Sequence, residues 1–333
     1  GQFTPASRAP FGAEGAAGHF SPTDRAPFGA EGAAGHRTPA YHDITEVLTE
    51  EGELDAFIAL RRRLADDFDQ ICGDTFCGGD YPDLRPVHLA CSASAGRAYV
   101  KECVWTFGGS YGAVDGPSGA VRVAASTFAC RIPVGAGATA FLATLGESVD
   151  PLYEPLPGQD ASVADALSGC LRPPAGLPPA APGPYVDAVD ALGDDDYLRF
   201  LGVRRALAER FDELCGDTFC EGDYSWIMPL DLRCSVDPGS GEIGGCAWAF
   251  AGASSPHVMP ESGAVRVRRE AFVCPLPVGG PVEAFLSALE GPGDPLNAAL
   301  PGGTASIYDA LIECLLARNP PGRAMASWAR ARR

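Results

Sequence analysis

Six cysteines recur in order along this chain, and the recurrence limits what it can fold into more than any other feature. Cys72, Cys77, Cys91 and Cys103 return as Cys215, Cys220, Cys234 and Cys246, each 143 residues later. Cys130 and Cys170 return as Cys274 and Cys314, now 144 later. One residue inserted between Phe107/Phe250 and the shared Ser-Gly-Ala-Val-Arg-Val (118–123, 262–267) accounts for the step. Twelve cysteines are therefore two sets of six, and the 333 residues read as two homologous domains, 41–172 and 185–317.

Each domain is expected to be α+β. A helix opens it: Phe57, Ile58, Leu64, Phe68 and Ile71 share one helical face and match Phe200, Leu201, Leu207, Phe211 and Leu214. Cys-Gly-Asp-Thr-Phe-Cys then stops the helix, with Gly73 or Gly216 at the terminating position. Strand-like runs follow at 87–94, 98–107 and 120–132, and again at 230–236, 243–250 and 264–276. Cys103, Trp105 and Phe107 alternate onto one face, as do Cys246, Trp248 and Phe250, which predicts a buried side. Two short helices close the unit; Ser162 with Asp165 and Ser306 with Asp309 read as capping boxes. The expectation is a three-stranded antiparallel sheet with helices on one face, built twice.

Six cysteines per domain allow fifteen pairings. Cys91 and Cys103, like Cys234 and Cys246, lie symmetrically about a hairpin centre, so a cross-strand bridge is the first expectation. Cys72 with Cys77 and Cys215 with Cys220 would close locally. That leaves Cys130 with Cys170 and Cys274 with Cys314 to tie the last strand to the last helix. Chain entropy assigns roughly 3 kcal/mol to the hairpin bridge and roughly 4 to the strand–helix bridge. No Cys-x-x-Cys pair occurs and no histidine repeats between the domains, so neither a zinc site nor a redox pair is expected, and no cofactor.

Outside the domains lie three segments of different character. Residues 1–40 contain no Val, Ile or Leu and repeat Arg-Ala-Pro-Phe-Gly-Ala-Glu-Gly-Ala-Ala-Gly-His at 8–19 and 25–36. Such an arm cannot build a core. Its large apolar groups are Phe3, Phe11, Phe20 and Phe28. Fully extended it would reach about 130 Å, against about 36 Å for the width of one domain. The linker, 173–184, belongs to a stretch with six prolines in fourteen residues (171–184) and reads as a stiff spacer of about 43 Å that holds the domains apart. The tail, 318–333, carries five arginines and no acid; Trp328, Arg330, Arg332 and Arg333 would dock it on an acidic surface.

Charge and composition remove several function classes. With 43 acids against 25 Lys+Arg the net charge is −18, which argues against a nucleic-acid partner. No apolar run approaches the roughly 20 residues of a membrane span. No leader pattern opens the chain, so any signal peptide is expected to have been removed. Twelve cysteines with five histidines point to an oxidising compartment and an extracellular or cell-surface location. The densest shared polar motif is Gly-Asp-Thr-Phe-Cys-x-Gly-Asp-Tyr. Its Asp74 and Asp80, with Asp217 and Asp223, offer a candidate Ca²⁺ site weighed against an ordinary Asx-turn loop with the tyrosine packed beneath it. His42, His88 and His257 have no counterpart in the other repeat and read as surface histidines, so no catalytic residue is assigned and no enzyme is expected.

The cysteine-stapled unit around Cys-Gly-Asp-Thr-Phe-Cys-x-Gly-Asp-Tyr resembles secreted cysteine-rich tandem-repeat proteins of GC-rich soil bacteria such as myxobacteria. The resemblance covers both domains but not the arm, and it implies no particular activity. The functional expectation is a secreted structural subunit that self-assembles, as a homo-oligomer or polymer in a filament or surface layer, through its arm and tail. The alternative is a secreted module that binds a peptide, a surface glycan or Ca²⁺ at two equivalent sites.

Overall fold

The computed structural model of the chain describes residues 40–77, 83–96, 98–172, 177–178 and 180–320. The chain divides into two units, Gly1–Arg37 and Thr38–Arg333, and every described residue lies in the second. The architecture is mixed α/β. The first half runs β1 (Tyr41–Asp43), α1 (Ile44–Val47), α2 (Glu51–Ile71), β2 (Arg85–Ser94), β3 (Tyr99–Val114), β4 (Val121–Gly137), α3 (Ala138–Glu147) and α4 (Val163–Cys170). The second half runs β5 (Val186–Asp187), α5 (Ala188–Ala191), α6 (Asp194–Cys215), β6 (Trp226–Asp237) and β7 (Glu242–Ala253). It continues through β8 (His257–Val258), β9 (Val265–Arg266), β10 (Arg269–Leu276), α7 (Val282–Leu289) and α8 (Ile307–Leu311), which runs into a π-turn at Ile312–Leu316.

β8 pairs with β9 in a small two-stranded sheet, and the two main sheets are antiparallel, in the orders β1-β2-β3-β4 and β10-β7-β6-β5. Each therefore has four strands where three were expected. The additional edge strand is two or three residues long. It is placed by an aspartate that ends the strand and caps the next helix: Asp43 accepts from Thr45 N–H at 2.9 Å, and Asp187 from Val189 N–H at 3.2 Å.

The long helices are held by one apolar stripe each. Phe57, Leu60, Leu64 and Phe68 are buried on α2, and Phe200, Val203, Leu207 and Phe211 on α6. Both stripes cover the tryptophan of the central strand. Phe68 sits 6.1 Å from Trp105 and Phe211 sits 6.0 Å from Trp248, ring centre to ring centre. Neither helix ends on a left-handed glycine; Gly216 has φ −59°. The stop is made by the short disulfide loop, in which Cys77 N–H donates to Cys72 O at 2.6 Å and Cys220 N–H to Cys215 O at 2.7 Å. Both capping boxes form, at Ser162 with Asp165 and Ser306 with Asp309.

Six disulfides join Cys72–Cys77, Cys91–Cys103, Cys130–Cys170, Cys215–Cys220, Cys234–Cys246 and Cys274–Cys314. The hairpin bridges link residues that are directly opposed in the register, Cys91 with Cys103 and Cys234 with Cys246. Among the described residues no cysteine is left free.

The linker does not hold the halves apart. Their sheets pack against each other on the faces turned away from the helices, giving the layers helix, sheet, sheet, helix. The strand residues on these faces are small: Ala90 and Val104 meet Val265, while Ala249, Ala251 and Leu230 meet Val87, Val123 and Ala125. A Cβ on Gly108 would fall 2.0 Å from the Ala251 Cβ, so glycine is required there. Each hairpin reaches across to the opposite half in the same way. Ser92 Oγ donates to Gly263 O at 2.5 Å, and its repeat-mate Ser235 donates to Gly119 O. Tyr41 N–H donates to Pro260 O at 3.0 Å, and Tyr185 N–H to Gly116 O at 3.1 Å. Gly119 and Gly263 both have φ +70°, and each lies under the tyrosine of the other half. The relation is isologous, as in a two-fold dimer, with both partners on one chain. Described parts of the linker follow the same surface: Gly116 N–H donates to Ala181 O at 3.0 Å and Arg122 to Pro178 O at 3.4 Å.

Candidate functional site

Along the line where the halves meet, α2 and α6 turn a polar flank towards β2 and β6. Two grooves form there, of about 420 and 510 Å³. They are lined by the same residues at the 143-residue offset: Ile58 and Leu201, Arg61 and Arg204, Arg62 and Arg205, Ala65 and Ala208, Pro86 and Pro229, Leu89 and Leu232, Trp105 and Trp248. Each groove is closed by the opposite half, the first by Met228 and the second by Ala65, Asp69, Arg85 and Pro86. Met228 and Arg85 occupy matching positions in the repeat, and Ala65, Pro86 and Met228 line both grooves. Helical spacing explains the lining, because residues 58, 61, 62 and 65 fall at i, i+3, i+4 and i+7 and so share a flank beside the apolar stripe.

Beneath the arginines the two copies diverge. In the first, His88 is 5 % exposed, its ring stacks on Trp226 at 3.6 Å, and its Nδ1 accepts from Arg61 at 2.8 Å. Burial, reinforced by the Arg61 charge, drives the imidazole from 6.5 down to about 3, so it is neutral. In the second copy Asp231 stands where His88 stood, 4 % exposed, and pairs with Arg204 and with Arg233. Arg233 also reaches Asp187 at 2.7 Å and Asp83 at 3.8 Å. Asp83 is the repeat-mate of Trp226, so the neutral stack of one side is matched by an ionic cluster on the other. Burial raises the Asp83 carboxyl above its ordinary range, against the pull of Arg233, and burial lowers the Arg61 and Arg204 guanidinium groups. On the same helices Asp69 and Asp212, another repeat pair, are both raised, chiefly by burial. Both grooves have an apolar floor and a rim of paired arginines. The second is also lined by Asp69 and Asp212, and its Arg204 and Arg205 pair with Asp231 and Glu209, so the first is the more open to a segment carrying an apolar side chain close to a carboxylate.

Phe3, Phe11, Phe20 and Phe28, and Trp328, Arg330, Arg332 and Arg333, lie outside the described residues. So does Asp80, together with the side chain of Asp74. Asp223 faces Arg268 at 3.2 Å, and among the described residues no three His, Cys, Asp or Glu side chains gather as a metal site. The loop between Cys215 and Tyr224 has a structural partner. Asn319, fully buried, accepts from Tyr224 N–H at 2.9 Å and donates to Phe219 O at 2.7 Å and Tyr224 O at 3.0 Å. With Arg318 paired to Glu270, the segment assigned to the tail from 318 begins inside the folded body. His88, read as a surface histidine, is buried because the opposite half covers it with Trp226. The grooves themselves were not anticipated. Their signal was the offset applied to arginine as well as to cysteine.

No helix among the described residues is long and apolar enough to cross a membrane. Comparison with protein-family models, with curated proteins and with solved structures finds no match to the chain.

Proposed function

We propose that the chain is two tandem homologous domains closed face to face into an extracellular structural subunit, and that it self-assembles by laying the arm of one copy into the paired grooves of another. The observation that carries this reading is a groove whose helix flank and strand floor recur at the 143-residue offset. An arm with two identical twelve-residue repeats meets a body with two matching acceptors. Each arm repeat places a phenylalanine three residues before a glutamate, Phe11 with Glu14 and Phe28 with Glu31. Each groove offers an apolar floor beside two arginines. Reach is not limiting, since the seventeen residues from one repeat to the next span up to about 58 Å when extended. Six disulfides suit an oxidising, extracellular setting.

The test has two readouts. Light scattering is run on the full chain and on a chain lacking residues 1–37, a segment that forms a unit separate from the body. A synthetic peptide of residues 8–19 is then titrated into the shortened chain. The full chain is expected to form concentration-dependent oligomers and the shortened one to stay monomeric, with two peptides bound per body. Arg61→Glu with Arg204→Glu should abolish peptide uptake. Equal oligomeric states for the two chains, or no peptide uptake, would overturn the reading.

A further inference from the structure

Basic side chains are scarce on this acidic chain, yet four of them converge on one cleft away from the grooves. It measures about 790 Å³, within the roughly 300–1,000 Å³ of small-ligand sites. Arg131, Arg266, Arg268 and Arg269 line it, with His257 at its margin, and Asp223 is the one acid among its described lining residues. Arg131 is held by Glu102 at 2.6 Å, Arg268 by Asp223 at 3.2 Å, and Arg269 Nε donates to Thr127 O at 3.3 Å. Arg266 is exposed; its backbone pairs with His257 in the β8–β9 ladder, but its guanidinium makes no hydrogen bond or ion pair to any described residue. Two of the four cations are therefore not neutralised by a carboxylate. Hydroxyls complete the wall: Ser225 and Ser255 approach each other at 3.1 Å, beside the buried Ser254.

The cleft is lined mostly by the second half, with Val104, Ala129 and Arg131 from the first, and it opens beside the inserted residue. In the first half β3 and β4 form one unbroken hairpin from Tyr99 to Gly137. In the second half the corresponding ladder opens between β7 and β8 at Ser254-Ser255-Pro256, and between β9 and β10 at Val267-Arg268. Pro256 has no N–H to give a ladder. Ser254 bridges the gap instead, its N–H donating to Arg268 O at 2.8 Å and its Oγ accepting from Arg268 N–H at 2.9 Å. At that opening Arg268 and Arg269 replace Ala124 and Ala125 of the first repeat.

We propose that this cleft binds an acidic oligosaccharide, its carboxylate or sulfate groups held by Arg266 and Arg269 and its hydroxyls by the serines. Guanidinium groups match such anions bidentately. Among the described residues lining the cleft there is no Phe, Tyr or Trp to stack on a neutral sugar or a base. The −18 charge of the whole chain disfavours a long polyanion such as nucleic acid, whereas a short anion feels mainly the local arginines.

The test is calorimetric titration of the full chain with a trigalacturonate, which presents carboxylates, and separately with a heparin tetrasaccharide, which presents sulfates. Inorganic phosphate serves as a plain-anion control. One-to-one binding of at least one oligosaccharide is expected, weakened tenfold or more by Arg266→Glu with Arg269→Glu and unchanged by Arg172→Glu, since Arg172 does not line the cleft. Arg266→Gln alone, which removes no internal contact, keeps the test valid if the double variant folds poorly, and should weaken binding at least threefold. Absence of binding to both oligosaccharides, binding of phosphate alone, or equal binding by the arginine variants would overturn the proposal.

Discussion

The two halves of this molecule share the same ring packing inside and differ where they meet. Their tryptophan clusters repeat to within a tenth of an ångström: Trp105 lies 4.7 Å from Phe107, and Trp248 lies 4.7 Å from Phe250. Yet one half places a neutral His88 against Trp226 while the other buries Asp231 among arginines, and one hairpin is continuous while the other is split at Pro256. Core positions are set by volume, and a duplicated core has no room to drift without losing packing worth several kcal/mol. Residues beside the pseudo-dyad meet a partner that is itself different, so they tolerate divergence in matched sets. Function is therefore best sought where the repeat fails, at the arginine cleft, and where it persists outside the core, at the paired grooves.

If the interiors are equivalent, matching staples should be worth the same. Removing Cys130–Cys170 by double alanine substitution is expected to cost about 4 kcal/mol, and removing Cys274–Cys314 about the same, because each closes a loop with a sequence separation of 40. Urea unfolding of the two variants measures this. A gap above about 1.5 kcal/mol would break the equivalence and place different strain or denatured-state structure in the two halves.

Much of this interior was legible in the sequence. The hairpin cysteines, both capping boxes and the Trp-Phe face follow from spacing alone. What escaped was the second side of each sheet. Val104 and Thr106 in the first half, and Ala247, Ala249 and Ala251 in the second, are small residues that read equally well as solvent-facing. Only a copy of the same surface at contact distance buries them, and alternation on one strand carries no information about that copy. The strands β1 and β5 escaped because two or three residues are too few to show a period. His88 escaped for the same reason as the sheet faces, since its cover comes from Trp226, about 140 residues away in the chain. Arg61 with Arg62, and Arg204 with Arg205, recur at the same 143-residue offset as the cysteines, but a repeated arginine pair on a helix does not by itself tell a groove rim from a solvated flank.

The His88 side of the comparison has its own pH dependence. Its folded-state value of about 3 lies below the ordinary 6.5, so on acidification the unfolded chain takes up a proton that the folded chain refuses. The stability that neutral His88 contributes is complete above pH 6.5 and drains away as pH falls towards 3. Between pH 6.5 and 5 the loss from this group is about 2 kcal/mol, at about 1.4 kcal/mol per pH unit. The capping carboxyls of Asp165 and Asp309, which are held below 3.8 by their Ser162 and Ser306 hydrogen bonds, lose their contribution only at lower pH. His88→Asn should flatten the stability profile across that window in urea titrations at fixed ionic strength. An unchanged slope would mean that His88 is open to protonation in the folded chain.

The smallest effect tests the pseudo-dyad most directly. Ser92 and Ser235 are both fully buried, and each donates to a glycine carbonyl of the opposite half. Alanine at either site removes one such bond and leaves a buried carbonyl short of a donor, costing about 1 kcal/mol. The two bonds lie at opposite ends of the contact, on different hairpins, so the double variant should lose about 2 kcal/mol if they are independent. Equal single losses would show that the crossing is isologous in energy as well as in geometry. A smaller loss for Ser92→Ala would point to the split second hairpin, whose tip carries Gly263, as the compliant side: opened at Pro256, it can shift and recover a partner that the continuous first hairpin cannot.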